Sequence, residues 1–121
     1  MFKETLQKIV EKTDGALGAV IMGTDGLSVE KFFSDAGSEA NLDVAAAEFT
    51  SLIRTAARSA NDLNLGDVRE LMVISENATL LMRALHKEYF VFLALRRDGN
   101  LGRGRYELRK AELILSNEFA V

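Results

Sequence analysis

The run YFVFLAL at residues 89–95 is apolar at every position. A strand of this composition has no face to turn to water. It must be covered on both sides, so helices are expected above and below the sheet that contains it. Two further strand candidates precede it, RELMVIS at 69–75 and ATLLMRAL at 78–85. The connections, near Glu76-Asn77 and around His86 to Glu88, are too short for crossovers, which makes the three strands an antiparallel meander.

An earlier hairpin is expected in DGALGAVIMGTDGLSVEKFF, residues 14–33. Asp25-Gly26 between two β-rich runs predicts a type I′ turn, with positive φ at both central residues. The first strand, 16–24, is apolar on both faces from Leu17 to Met22 and reads as central. The second, 27–33, sets Leu27, Val29 and Lys31 against Ser28, Glu30 and Phe32 and reads as nearer an edge. Three helices complete the chain. Residues 2–12 carry Phe2, Leu6, Ile9 and Val10 on one stripe, with Gly15 just past the end. Residues 42–63 place Leu42, Ala45, Ala46, Phe49, Leu52, Ile53, Ala56, Ala60 and Leu63 on one broad core arc, with Asn41 as N-cap after a loop from Ser34. Residues 101–119 put Leu108, Ala111, Leu115 and Phe119 on one side. With no proline in the chain, Gly, Asn and Asp supply the punctuation. The expected fold is α/β (α+β), in the order α-β-β-α-β-β-β-α. It is a single domain over 1–121: a three-layer α/β/α arrangement of a five-stranded antiparallel sheet, with the first and last helices on one face and the middle helix on the other.

Composition excludes several functions. Without cysteine there is no disulfide framework and no thiolate metal site, and a single histidine argues against a His-rich metal site. A net charge of −3 argues against a large nucleic-acid surface. The charged N-terminus lacks the apolar core of a signal peptide, and no run approaches the roughly 20 apolar residues that span a bilayer. A cytoplasmic protein with no membrane insertion is expected.

Catalytic chemistry finds little support. The stretch Gly99-Asn100-Leu101-Gly102-Arg103-Gly104 lacks the Gly-Lys-Ser/Thr ending of a phosphate loop and does not open a βαβ unit, so its glycines are read as packing glycines. His86 falls in a strand connection, and Ser75 and Glu76 show no nucleophile signature. Glu39, Asp43 and Glu48 do not share a metal-binding spacing. No enzyme activity, cofactor or metal is expected. Arg96, Arg97, Arg103, Arg105, Arg109 and Lys110 form the one basic concentration, read as a solvated helix face or, alternatively, as a surface for an acidic partner.

Two surfaces look incomplete. The apolar strand Leu71-Met72-Val73-Ile74 begins the meander and falls at a sheet edge, where it invites pairing with another chain unless Arg69 and Glu70 guard it. Self-pairing in a two-fold dimer is the favoured reading. Opposite the core arc, the middle helix carries Val44, Ala47, Ser51, Arg54, Arg58 and Asn61, where small residues admit a close backbone and arginines fork onto acidic groups. An ordinary solvated face is the alternative.

The order of these parts resembles the Roadblock family (dynein light-chain roadblock type), and most of all its bacterial members of the MglB type. The matching features are Gly15-Ala16 leading into a small-apolar strand, Asp25-Gly26, the long Ala-rich helix, and FVFLALRRDGNLGRGRYELRKA with Asn100-Leu101-Gly102 at its junction. This resemblance implies a homodimeric platform, paired through its third strand with the middle helices side by side, which binds a small Ras-like GTPase and modulates its GTP turnover. It puts Val44, Ala47, Ser51, Arg54 and Arg58 on the GTPase side and Leu71, Met72, Val73 and Ile74 in the dimer. An adaptor subunit without effect on turnover is the alternative. A small-ligand sensor would require a sizeable internal pocket.

Overall fold

A computed structural model of the chain describes residues 2–35, 39–86 and 88–119. The elements are α1 (Phe2–Lys12), β1 (Ala16–Gly23), β2 (Ser28–Phe33), α2 (Glu39–Asp62), β3 (Glu70–Ile74), β4 (Ala78–His86), β5 (Tyr89–Arg96) and α3 (Leu101–Leu115). A 3-10 turn, Ser116–Phe119, follows α3. The five strands form one antiparallel sheet in the order β2-β1-β5-β4-β3.

The apolar strand β5 lies at the centre, between β1 and β4, and every residue from Phe90 to Leu95 is buried. Its side chains alternate between the two faces. Val91, Leu93 and Leu95 pack with Leu6 and Ile9 of α1 and Leu108, Ala111 and Leu115 of α3. Phe90, Phe92 and Ala94 pack with Leu42, Ala46, Phe49 and Ile53 of α2, where the Phe49 and Phe92 rings meet edge to face at 5.3 Å. The expected layering is therefore observed, with α2 alone on its side of the sheet.

Several local expectations are corrected. α2 begins at Glu39, so Asn41 lies inside the helix and is not its N-cap; part of the expected preceding loop lies outside the described residues. α3 stops at Leu115, and the side chain of Phe119 is likewise outside them. The β1–β2 turn is not type I′, because only Gly26 has positive φ there. Gly26 N–H donates to the Gly23 carbonyl and Gly23 N–H to that of Leu27, both at 3.0 Å, which closes a three-residue loop Thr24-Asp25-Gly26. The Asp25 carboxylate accepts from Leu27 N–H at 3.0 Å and locks the loop, leaving Gly26 to take the left-handed residue of the bulge. Leu52 and Leu63, placed on the core arc by periodicity, are 50% and 67% exposed.

The junction of α1, β1 and α3 is the tightest point. Gly15 has φ +85°, and a Cβ there would stand 2.4 Å from the Cα of Gly99. Gly15 and Asp14 carbonyls accept from Arg96 and Asn100 N–H at 2.8 Å each, tying the two chain segments together. Gly66 has nearly the same φ, +86°, but open space around it. Gly66→Ala should therefore cost only the left-handed penalty, about 1–2 kcal/mol, whereas Gly15→Ala adds a backbone clash and should cost distinctly more. Urea midpoints of the two variants at equal protein concentration check this.

Candidate partner-binding surfaces

The sheet has two outer strands, and the chain treats them differently. β2 carries Glu30 and Lys31, and Lys31 Nζ donates to Asp43 of α2 at 2.7 Å, so charge sits along that edge. β3 is ELMVI, and its one charge is drawn away from the edge. Glu70 accepts from Arg83 Nη1 at 3.1 Å and Arg105 Nε at 2.7 Å, while Arg83 Nε donates to Glu112 at 2.8 Å. Burial lowers the Arg83 pKa, but its hydrogen bonds and charge contacts with Glu112 and then Glu70 outweigh this and raise it above the usual arginine value. These four side chains bolt β3 and β4 to α3. The guard expected from Glu70 is therefore engaged on the α3 face of the sheet.

The backbone of β3 is half satisfied. Arg69 carbonyl accepts from Ala84 N–H and Ser75 N–H donates to the Ala78 carbonyl, so those residues face β4. By the antiparallel alternation, the N–H and C=O groups of Glu70, Met72 and Ile74 point to the open side. Leu71 and Val73 lie half-buried on the α2 face, Met72 half-buried on the α1/α3 face, and Ile74 is 66% exposed. The flank of α2 facing this edge adds Ala45 and the half-exposed Leu52. An open hydrogen-bonding edge and an under-covered apolar strip thus run side by side.

The ridge of α2 opposite the sheet holds Val44, Ala47, Ser51, Arg54 and Arg58, all exposed and stacked three or four residues apart. Arg54 donates through Nη1 to the Thr24 carbonyl in the β1–β2 turn, so it is engaged within the chain. Arg58 makes no ion pair among the described residues.

Gly104 is buried under Leu93, whose Cδ2 would stand 3.0 Å from an added Cβ, and Gly99 is hemmed in by Leu95 and Arg96, so both pack α3 against β5. Gly102 has no such neighbour. Asn100 caps α3, its side chain accepting from Arg103 N–H at 3.0 Å. His86 is exposed at the end of β4. Asp43 is committed to Lys31, and no cluster of three His, Asp or Glu among the described residues could hold a metal ion. No helix among the described residues is long and apolar enough to cross a membrane. A groove of about 720 Å³ takes its walls from both faces, with Ile53 of α2 and Glu112 of α3 among them, so it wraps the end of the sheet rather than lying between layers. Sequence reasoning missed two elements of this surface: the Glu70–Arg83–Arg105–Glu112 cluster and the buried Glu107, whose carboxylate pairs with Arg103 at 2.8 Å.

Loss of Arg83 would strand Glu112 and half of Glu70. Arg83→Met should destabilise by about 1–3 kcal/mol, and Arg83→Lys should recover only part of that, since an ammonium cannot fork between the two carboxylates. Denaturant titrations of both variants measure it.

A model of the Roadblock/LC7 domain matches residues 2–95. None of the curated proteins compared with the chain matches it. Among solved structures, MglC from Myxococcus xanthus is 37% identical, covering 95% of this chain and 96% of its own, with a TM-score of 0.68. A Roadblock/LC7 domain from Streptomyces avermitilis is 17% identical over 98% of both chains, at a TM-score of 0.85. The gliding protein MglB from Thermus thermophilus is 18% identical, covering 94% of this chain and 84% of its own, at 0.84. The last two likenesses show the fold, and the first extends to sequence. The chain belongs to the Roadblock/LC7 domain family.

Proposed function

We propose that this Roadblock/LC7 chain is a non-catalytic regulator that works as a homodimer and presents the α2 ridge to a small Ras-like GTPase. The observation that carries the reading is the continuity of three features on one side of the molecule. The open edge of β3 leads into the strip formed by Leu71, Val73 and Leu52, and that strip borders the small-residue ridge from Val44 to Arg58. Pairing two β3 strands would satisfy the outward groups of Glu70, Met72 and Ile74, and would bring the two α2 helices side by side. The paired ridges then make one platform broad enough for a partner domain.

On this platform the chemistry is positional. Ala47 and Ser51 allow a partner backbone close to the helix, and Arg58 offers a fork to a carboxylate. The Arg54 contact with Thr24 speaks against an arginine finger, which must reach freely into another protein's active site. The platform would therefore act by ordering the GTPase switch segments. That same contact favours the second reading, an adaptor that binds without altering turnover.

Light scattering should return twice the chain mass of 13.3 kDa at micromolar concentration. Ile74→Lys and Leu52→Arg, at exposed positions, should each give a folded monomer; a wild-type monomer would remove the dimer from the proposal.

The second measurement is GTP hydrolysis by the Ras-like GTPase of the same genome. Wild type should accelerate it, and Ala47→Arg/Ser51→Arg should abolish the effect. Arg54→Ala should cost less than about tenfold, against the roughly 10³–10⁵ of a true finger. Binding without acceleration would establish the adaptor reading, and stimulation unchanged in the double variant would move the contact off this ridge.

A further inference from the structure

The helix on the other side of the sheet carries a second unpartnered surface. α3 buries Gly104, Leu108, Ala111 and Leu115 against the sheet, yet its outward ridge is also apolar. Tyr106 is 56% exposed and Leu113 77%, seven residues apart and hence on one line about 10 Å long. Ile114, 49% exposed, widens the stripe toward α1. Cations frame it. The Arg103 guanidinium lies 5.4 Å and the Lys110 ammonium 5.9 Å from the centre of the Tyr106 ring, and Arg109 lies one position from Lys110 on the same outward side.

The acidic groups on α3 leave part of this ridge unneutralised: one is matched to Arg103 and the other faces away. Glu107 is buried against Arg103, and Glu112 is held by Arg83 on the flank facing β4. Arg109 and Lys110 have no carboxylate partner among the described residues. From Arg96 to Leu115 the chain holds six cations and three carboxylates (Asp98, Glu107 and Glu112), although its net charge is −3. With Arg105 held by Glu70 and Arg103 by Glu107, two uncompensated cations, Arg109 and Lys110, remain beside the exposed Tyr106 and Leu113.

We propose that this ridge docks an acidic amphipathic helix of a partner protein. The partner's apolar side chains, spaced by three, four and seven residues, would lie along Tyr106 and Leu113, and its carboxylates would meet Arg109 and Lys110. A flat anionic bilayer fits less well, because the apolar line is one helix wide and the exposed positions of the neighbouring α1 (Lys3, Glu4, Gln7, Lys8, Glu11 and Lys12) offer a bilayer no further apolar surface to bury. The surface lies across the sheet from the α2 ridge, so it is independent of the GTPase reading and can be occupied at the same time.

The test uses the full chain and a designed helical peptide of roughly 18 residues, with Leu at positions i, i+4, i+7 and i+11 and Glu on its flanks. Fluorescence anisotropy should show binding that weakens as salt rises through about 0.1 M. Arg109→Glu/Lys110→Glu and, separately, Leu113→Ser should each weaken it about tenfold or more, with circular dichroism unchanged. A peptide with Lys in place of Glu should not bind. Absence of binding by the Glu peptide, or equal binding by the variants, would overturn the proposal. So would flotation with phosphatidylglycerol vesicles that shows the same dependence on Arg109 and Lys110, which would assign the ridge to a membrane. Self-association abolished by Leu113→Ser would assign it to a second copy.

Discussion

Coverage of the sheet governs this molecule. Five strands set about 4.8 Å apart make a layer about 24 Å wide, and the central pair β1 and β5 is buried on both faces. A helix with its side chains is about 10 Å across. On one face α1 and α3 together come close to the full width. On the other face α2 stands alone and can cover about half of it. The shortfall falls on the β3 side, because α2 is drawn toward β2 by the Lys31–Asp43 pair and the Arg54–Thr24 contact. Leu71, Val73 and Leu80 are half-buried for this reason.

The two sheet edges follow from the same imbalance. At β2 the helix is near enough to pair with an edge lysine, and charge can be spent there. At β3 the nearest ionic partners are on the opposite face, in Arg83 and Arg105, and Glu70 is pulled to them. The edge keeps apolar side chains and free backbone groups next to the uncovered strip. A second α2 and a second β3, brought together by a two-fold axis, would supply both missing parts with one contact. This is why pairing and platform formation are a single event in the proposed function.

The fold was legible in the sequence where burial was unambiguous. An unbroken apolar YFVFLAL demands two covered faces, and short connections make a meander; helices on both sides of the sheet and the edge position of β3 follow. What was illegible has physical causes. Periodicity placed Leu52 and Leu63 in the core because an exposed leucine at the rim of a helix's apolar arc is the same residue type as one buried against the sheet. Asp25-Gly26 signals a hairpin without fixing its loop length, which the Asp25–Leu27 hydrogen bond and a left-handed Gly26 decide. The Glu70–Arg83–Arg105–Glu112 cluster joins residues up to 42 positions apart, and no local pattern announces it. The α2 ridge was located correctly as a surface, since residues three and four apart must share a face.

A sheet with helices on both sides also separates whatever binds those helices. The α2 ridge and the α3 ridge have the central β1–β5 layer between them, and every side chain from Phe90 to Leu95 is buried within it. A partner on one ridge cannot touch a partner on the other by way of a single protomer's flank. The ionic cluster joins β3, at the proposed dimer edge, directly to α3. Arg105 belongs to α3 and Glu70 to β3, so a change in strand pairing would be felt first at that ion pair. Because Arg105 is half exposed, the pair is weak in water and strengthens only if a second copy excludes solvent from it. Dimerisation would then stiffen the attachment of α3 without contacting its outward ridge, and any coupling between the two proposed surfaces would act through rigidity and not through a shared interface.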